Sequence, residues 1–557
     1  MNESNVIVER DVFVPMRDGV RLAVDIFRPK SEGRFPALVS ISPYGKGMQS
    51  LPIPPQPPES HLHQLARPIE SGDPYFFASR GYAHVIADCR GTGRSEGEYY
   101  GWMSKKEAED GYDLIEWVAG QPWCDGKVGM VGISYYGTVQ LSVAAEQPPH
   151  LKVIMPWNAV ADFYREATHH GGILQTFFYY LYTTPIGAER SVSIVRKTTP
   201  PEQFNVLLES AKQDPDLWMY PSIYAVVDKP NKCPCFLDIV LNPLDGPFYW
   251  ERSAYTKLDK IKVPCYIRSG WFAYAHMHLV GSFILYEGIK APKKLLIDGP
   301  IDTWHPLPRD FNEEALRWFD YWLKGIDTEV MNEPPIKIYV MGENRYRYET
   351  EWPIPGTKWT KFYLRRWGLL DTTPESHTSD PDVFVHRPLY ETTKIESISY
   401  ATRPLDSDTE VTGPIALYLF ASIDKTDTNW IVSLRDVAPD GTEVELTKGF
   451  LKASHREVDE ARSRPWAPYH PHTKAVPVEP MRVYEYAISL APTSNVFKKG
   501  HRIKLEITSA DYPGFAVPAH GRMHHPWHVC SNMTVVHRIY RDPGNQSHLL
   551  LPIISAR

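Results

Sequence analysis

Residues 6 to 28 alternate apolar and polar positions on either side of Arg17-Asp18-Gly19-Val20, where Asp-Gly supplies a tight turn, and so predict a β-hairpin. Arg34-Phe35-Pro36-Ala37-Leu38-Val39-Ser40-Ile41 predicts a buried strand that runs into Ser42-Pro43-Tyr44-Gly45-Lys46-Gly47, a loop with two glycines and an aromatic hydroxyl. A proline-rich stretch from Gln49 to Pro68 reads as a surface excursion. The period then changes. Phe76 to Arg80 reads as a helix end before Gly81, and Tyr82-Ala83-His84-Val85-Ile86-Ala87-Asp88 as the next strand. Lys105 to Gly120 carries Leu114, Ile115 and Val118 at helical spacing, with acids in its first turns. Val128-Gly129-Met130-Val131-Gly132-Ile133 is a further apolar strand. Near-continuous apolar strands alternating with helices predict a parallel α/β sheet covered on both faces.

From about 150 to 240 the sequence becomes aromatic and irregularly helical, as in Thr176-Phe177-Phe178-Tyr179-Tyr180-Leu181-Tyr182, and reads as an inserted cap. Most of those aromatics are expected to fill a helical core. The sheet resumes with Val263 to Ser269 and Lys293 to Asp298, and Phe311 to Leu323 predicts a helix stopped by Gly325. Beyond Pro353 the helical signal nearly vanishes. Segments such as Ile415 to Phe420, Trp430 to Leu434 and Arg502 to Ile507, separated by Pro, Gly and Asp turns, predict an all-β sandwich. The expected division is therefore a core over 1–149 and 243–350, a helical cap over 150–242 and a β domain over 351–557.

Composition narrows the partners. At 557 residues the chain exceeds one hydrophobic core, and 43% hydrophobic with 12% aromatic residues describes a globular protein with large side chains to line pockets. A net charge of −7 without a basic run supplies no footprint for nucleic acid or an anionic membrane, which leaves a small molecule as the expected partner. No apolar stretch reaches the roughly 18 to 20 residues of a membrane span. The polar start Met1-Asn2-Glu3-Ser4-Asn5 lacks the pattern of a secretion signal, and six cysteines make no disulfide framework, so a cytoplasmic setting is expected. No cofactor is expected, because the glycines of Asp88-Cys89-Arg90-Gly91-Thr92-Gly93-Arg94-Ser95-Glu96-Gly97 match neither a phosphate loop nor a dinucleotide fingerprint. Asp88 and Arg90 read there as an internal ion pair. His169-His170-Gly171-Gly172 has no further ligand at metal spacing, and so reads as structural or pocket-lining.

The chemistry centres on Ser134. In Gly132-Ile133-Ser134-Tyr135-Tyr136-Gly137 a strand passes through a small-residue turn into a helix, which is how a chain lifts a nucleophilic hydroxyl above a sheet edge. The common form of this elbow is G-x-S-x-G, whereas here Tyr136 fills the second glycine position and Gly137 follows. With Pro43-Tyr44, the Asp88 to Gly97 loop and Trp318-Phe319-Asp320-Tyr321-Trp322-Leu323-Lys324-Gly325, this motif resembles the cocaine esterase and Xaa-Pro dipeptidyl-peptidase family, the CocE/NonD hydrolases, over essentially the whole chain. The resemblance implies an α/β-hydrolase core, an inserted helical cap and a C-terminal jelly roll. In that family the serine motif is G-x-S-Y-x-G. An oxyanion hole is implied from the Tyr44 hydroxyl and the main-chain N–H of Tyr135.

A serine needs a base and a group that orients the base. By the resemblance, His305 in Gly299-Pro300-Ile301-Asp302-Thr303-Trp304-His305 is the base, although the loop is two residues longer than the family pattern. The family acid follows the preceding strand as Gly-Trp-x-Asp, but here Gly270-Trp271-Phe272-Ala273 puts alanine in its place. Sliding across the apparent insertion offers His276 or His278, neither a carboxylate. Asp302 is the nearest substitute, with Asp298 and Asp245 behind it. The expected function is a serine hydrolase acting on an ester or amide of a small aromatic or apolar acid, or on an Xaa-Pro peptide. An acyltransferase using the same serine and a triad-deficient binding scaffold stand as alternatives, and the large β domain could bury a homodimer face.

Overall fold

The computed structural model describes residues 5–50, 70–183, 190–271, 277–299, 311–388, 390–392, 394–511 and 527–555. Strands β1 (Val6–Pro15) and β2 (Arg21–Pro29) pair as the predicted antiparallel hairpin. They flank β3 (Phe35–Ser42), β4 (Ala83–Asp88), β5 (Cys124–Ile133) and β6 (Leu151–Trp157), all of them largely apolar and buried. After a two-residue hairpin of β7 (His169–His170) and β8 (Ile173–Leu174), the same sheet continues with β9 (Cys265–Gly270), β10 (Lys293–Asp298), β11 (Ile336–Val340) and β12 (Arg345–Glu349). Its order is β1-β2-β4-β3-β5-β6-β9-β10-β11-β12, parallel from β4 through β11 and antiparallel at both edges. β5 therefore lies in mid-sheet, with its carboxyl end open to a site.

Helices α1 (Pro74–Ala78), α2 (Lys105–Ala119) and α3 (Tyr135–Ala145) connect these strands. α2 begins with a capping box between Ser104 and Glu107. Between β6 and β9 lie short helices, five of which open on proline at Pro201, Pro215, Pro221, Pro234 and Pro247. Proline fits a helix start because the N–H it lacks has no intrahelical partner there.

A second sheet of eleven strands occupies Lys358 to Ile554. Its long strand Thr409–Ile423, bulged between Gly413 and Ile415, pairs with Tyr484–Phe497, Val535–Tyr540 and His548–Ile554, so the sheet folds back on itself. All six cysteines are free and buried. Among the described residues no helix is long and apolar enough to cross a membrane.

One expected pair is corrected. Arg90 reaches Asp110 on α2 at 2.6 Å and Asp18 at 3.1 Å, not Asp88. The Asp88 carboxylate instead accepts the backbone N–H groups of Lys46 (2.7 Å) and Arg94 (3.0 Å). Two residues apart in one loop, the two side chains diverge to separate partners.

Candidate active site

Ser134 joins β5 to α3 with φ 58° and ψ −112°, a conformation that non-glycine residues rarely adopt. Its surroundings force that conformation. The Ile133 N–H is tied to the Glu70 carbonyl at 2.8 Å and the Ser134 N–H to the Trp157 carbonyl at 2.9 Å, so both sides of the turn are fixed. A Cβ on Gly132 would lie 2.3 Å from the Tyr136 Cβ, and one on Gly137 would lie 2.4 Å from the Trp157 oxygen. The second glycine thus falls at 137 because there α3 crosses the carbonyl that holds Ser134. Tyr136 is buried, whereas Ser134 keeps partial exposure and can be reached from outside.

One ring nitrogen meets the serine hydroxyl, and a phenol stands beside it. His278 Nε2 lies 3.3 Å from Ser134 Oγ. Burial holds the Tyr44 phenol well above the usual tyrosine range, against the lowering effect of the Ser134 side chain, hence protonated and able to donate. The Tyr44 ring packs edge-on against Tyr135 and Tyr136, with centroids at 5.7 and 6.2 Å. Tyr135 is the first residue of α3, so its N–H has no carbonyl one turn earlier in the helix to bond. The Tyr135 side chain turns away, donating to Glu107 and meeting the Tyr99 hydroxyl at 3.2 Å.

His278 was not singled out as a base by the sequence, although the paired histidines after Trp271 were its one signal. Burial pushes its imidazolium down to about 3, so the ring is neutral at ordinary pH and can accept a proton at Nε2. Its carbonyl accepts from Ser269 Oγ at 3.1 Å. The helix Val280–Gly288 starts two residues later, and beside it the Glu166 carboxyl takes the backbone N–H groups of Ala161 (3.0 Å) and Asp162 (2.6 Å).

His305, Asp302, Ala273 and His276 lie outside the described residues. The two weaker acid candidates are committed elsewhere. Asp298 receives Arg268 Nε at 2.6 Å and the Tyr346 hydroxyl at 3.0 Å, and Asp245 receives Arg165 Nη1 at 2.8 Å. His169 and His170 are buried, and no cluster of three or more His, Cys, Asp or Glu side chains suited to a metal occurs among the described residues.

With this geometry in place, the comparisons are specific. The X-Pro dipeptidyl-peptidase (S15 family) model matches residues 18–301, and the X-Pro dipeptidyl-peptidase C-terminal non-catalytic domain matches residues 328–550. The chain belongs to the S15 family. This S15 chain is 29% identical over 608 residues to the cocaine esterase of Rhodococcus sp. (strain MB1 Bresler), covering 100% of both. It superimposes on the crystal structure of a CocE/NonD family hydrolase from Staphylococcus aureus with a TM-score of 0.81 at 26% identity, covering 99% of this chain and 94% of that one. The family supports an α/β-hydrolase enzyme with a C-terminal β domain.

Proposed function

We propose that this chain is a serine hydrolase that opens an ester or amide bond, including an Xaa-Pro peptide bond, through an acyl-enzyme on Ser134. The observation that carries this reading is the Ser134 hydroxyl, held on a strained elbow with His278 Nε2 3.3 Å away and the Tyr44 ring packed on the neighbouring Tyr135 and Tyr136. Ser134 Oγ attacks the carbonyl carbon and its proton passes to an imidazole. Tyr44 O–H and Tyr135 N–H donate to the oxygen that becomes negative, the leaving group takes the proton, and water then releases the acyl group. We read residues 150–242 as a cap over this site and the C-terminal sheet as a jelly roll.

His278 is the base favoured by contact; His305, oriented by Asp302, is the base favoured by the motif. Hydrolysis of 4-nitrophenyl butyrate separates them. Ser134→Ala is expected to abolish turnover and Tyr44→Phe to lower kcat by about 10²–10³-fold. The larger loss between His278→Ala and His305→Ala names the base. Turnover undiminished in Ser134→Ala would end the proposal.

One observation favours a second reading, a triad-deficient scaffold. Burial lowers His278, and the described carboxylates Asp245, Asp298 and Glu166 are engaged with other groups. Such a scaffold would bind a ligand with equal affinity before and after Ser134→Ala.

A further inference from the structure

Glu107 stands in the first turn of α2, where one of its carboxylate oxygens closes the capping box: Oε2 takes the Ser104 N–H at 3.0 Å and faces the Ser104 hydroxyl at 3.4 Å. The cap requires no more than that. The other oxygen, Oε1, accepts from the hydroxyl of Tyr135, the first residue of α3 and the chain neighbour of Ser134. Glutamate is rarely buried, yet Glu107 is only 3% exposed and Tyr135 is fully buried.

The helix faces bring the pair together. Glu107 and Gly111 are four residues apart and share one side of α2. A Cβ on Gly111 would run into the Val143 side chain, so α2 approaches α3 closely enough for Glu107 to reach Tyr135. The Tyr135 ring is enclosed from its other sides as well. Its hydroxyl meets that of Tyr99 at 3.2 Å, and Trp102 and Tyr44 stand edge-on to it with centroids at 4.7 and 5.7 Å. Asp110, three residues further along α2, faces the Arg90 guanidinium, whereas the groups bonded to Glu107 are an N–H and hydroxyls. Burying a carboxylate is costly unless its hydrogen bonds are kept, and a bond to an ionised acceptor is among the stronger ones. The phenol of Tyr135 is therefore firmly tied.

We propose that Glu107 is a positioning residue for the oxyanion site: by holding the Tyr135 side chain it fixes the direction of the Tyr135 main-chain N–H and the seat of the Tyr44 ring. This assignment rests on the reading of Ser134 as the nucleophile. Tyr135 is where the strained Ser134 turn passes into α3, and a donor aimed at developing negative charge works only if it is already in place. Glu107 acts through Tyr135 and exchanges no proton in the reaction.

The test compares Glu107→Ala, Glu107→Gln and Tyr135→Phe in the full-length protein, with kcat for 4-nitrophenyl butyrate expressed per serine labelled by a fluorophosphonate, so that misfolded chains do not count. Tyr135→Phe keeps the α2 cap and the main-chain N–H and removes only the tie. It and Glu107→Ala are each expected to lower kcat by about tenfold or more with KM changed by less than about threefold, since a misplacement of about 1 Å costs up to about 10²-fold. Butylboronic acid, whose boron takes the serine oxygen while the serine proton passes to the base, presents a tetrahedral anion, and its affinity should fall by the same factor as kcat. Glu107→Gln still offers an oxygen to the phenol and still caps α2, and should keep about a third or more of kcat. The double variant Glu107→Ala/Tyr135→Phe should be no slower than the slower single one, because both cut the same link. Undiminished kcat per labelled serine in Tyr135→Phe, losses that multiply in the double variant, or a lowered melting temperature with kcat and boronate affinity kept would overturn the assignment. Tyr135→Phe alone decides the matter if Glu107→Ala folds poorly. A wild type that labels and turns over, matched by its variants, removes the role of Glu107 and keeps the hydrolase reading; a wild type that neither labels nor turns over removes both.

Discussion

At Gly132 an added methyl group would lie 2.3 Å from the Tyr136 Cβ and 3.0 Å from the Glu70 oxygen, at a φ of 143° that side chains disfavour. Gly132→Ala should therefore destabilise the protein by roughly 1–3 kcal/mol and displace Ser134, measured as a lowered melting temperature together with slower covalent labelling. Glu70 makes a prediction of opposite sign. Below its ordinary value of 4.5 both the native and unfolded states hold the proton; above it the unfolded chain releases the proton, and the native state retains it until about 8. Stability is lost across that window as pH rises. Glu70→Gln should thus raise the melting temperature, by an amount that grows between pH 4.5 and 8. A gain that is flat with pH would contradict the burial of this carboxyl.

Among the elements, those most legible in the sequence were the ones whose period was set by burial. β3 to β6 lie in mid-sheet, so their apolar runs announced them, and the Asp18-Gly19 turn announced the first hairpin. The elbow was legible too, because Gly132 and Gly137 answer local collisions. Contacts across sequence distance were not. Ser134 and His278 are 144 residues apart, and no periodicity records their approach. Arg90 was matched with its loop neighbour because its true partner, Asp110, lies 20 residues away on α2. The β7–β8 hairpin shows the same limit. His170 Nε2 meets the Glu166 carbonyl at 2.6 Å, His170 Nδ1 meets His528 Nε2 at 2.9 Å, and His528 Nδ1 meets Asp511 at 2.6 Å, which makes a buried chain from the β7–β8 hairpin to the C-terminal β domain. The carbonyl can only accept, so His170 donates from Nε2, and the chain ends at the Asp511 carboxylate, which sits below the usual range despite burial because of its contact with His528. Asp511→Asn leaves the histidines without that charge and should cost about 3–5 kcal/mol in a urea unfolding measurement.

Across the whole molecule the two sheets are joined by backbone bonds from Met341 N to Ser494 O (3.0 Å) and Val496 N to Met341 O (2.8 Å), beside an ion pair from Arg347 to Glu410 at 2.6 Å. Both sides of that joint hold buried neutral histidines. Burial lowers His84 and His278 to about 3 in the first part, and His537 to about 3 and His455 to about 4 in the second. With native values depressed below the ordinary 6.5, unfolding takes up protons as pH falls from 6.5 toward 4, and stability present above 6.5 is lost in that window. Melting followed by calorimetry should show the two parts weakening together over that range, and a midpoint constant from pH 6.5 to 4 would contradict it. The shared fold brings Tyr44, Ser134 and His278 to one point from three separate stretches of chain, and the central claim is that this point is nucleophilic. Its most direct test is reaction of the full-length protein with a fluorophosphonate probe, followed by intact-mass spectrometry. One adduct per chain on wild type and none on Ser134→Ala is the predicted result; an unlabelled wild type, or an adduct that persists in Ser134→Ala, would contradict the account.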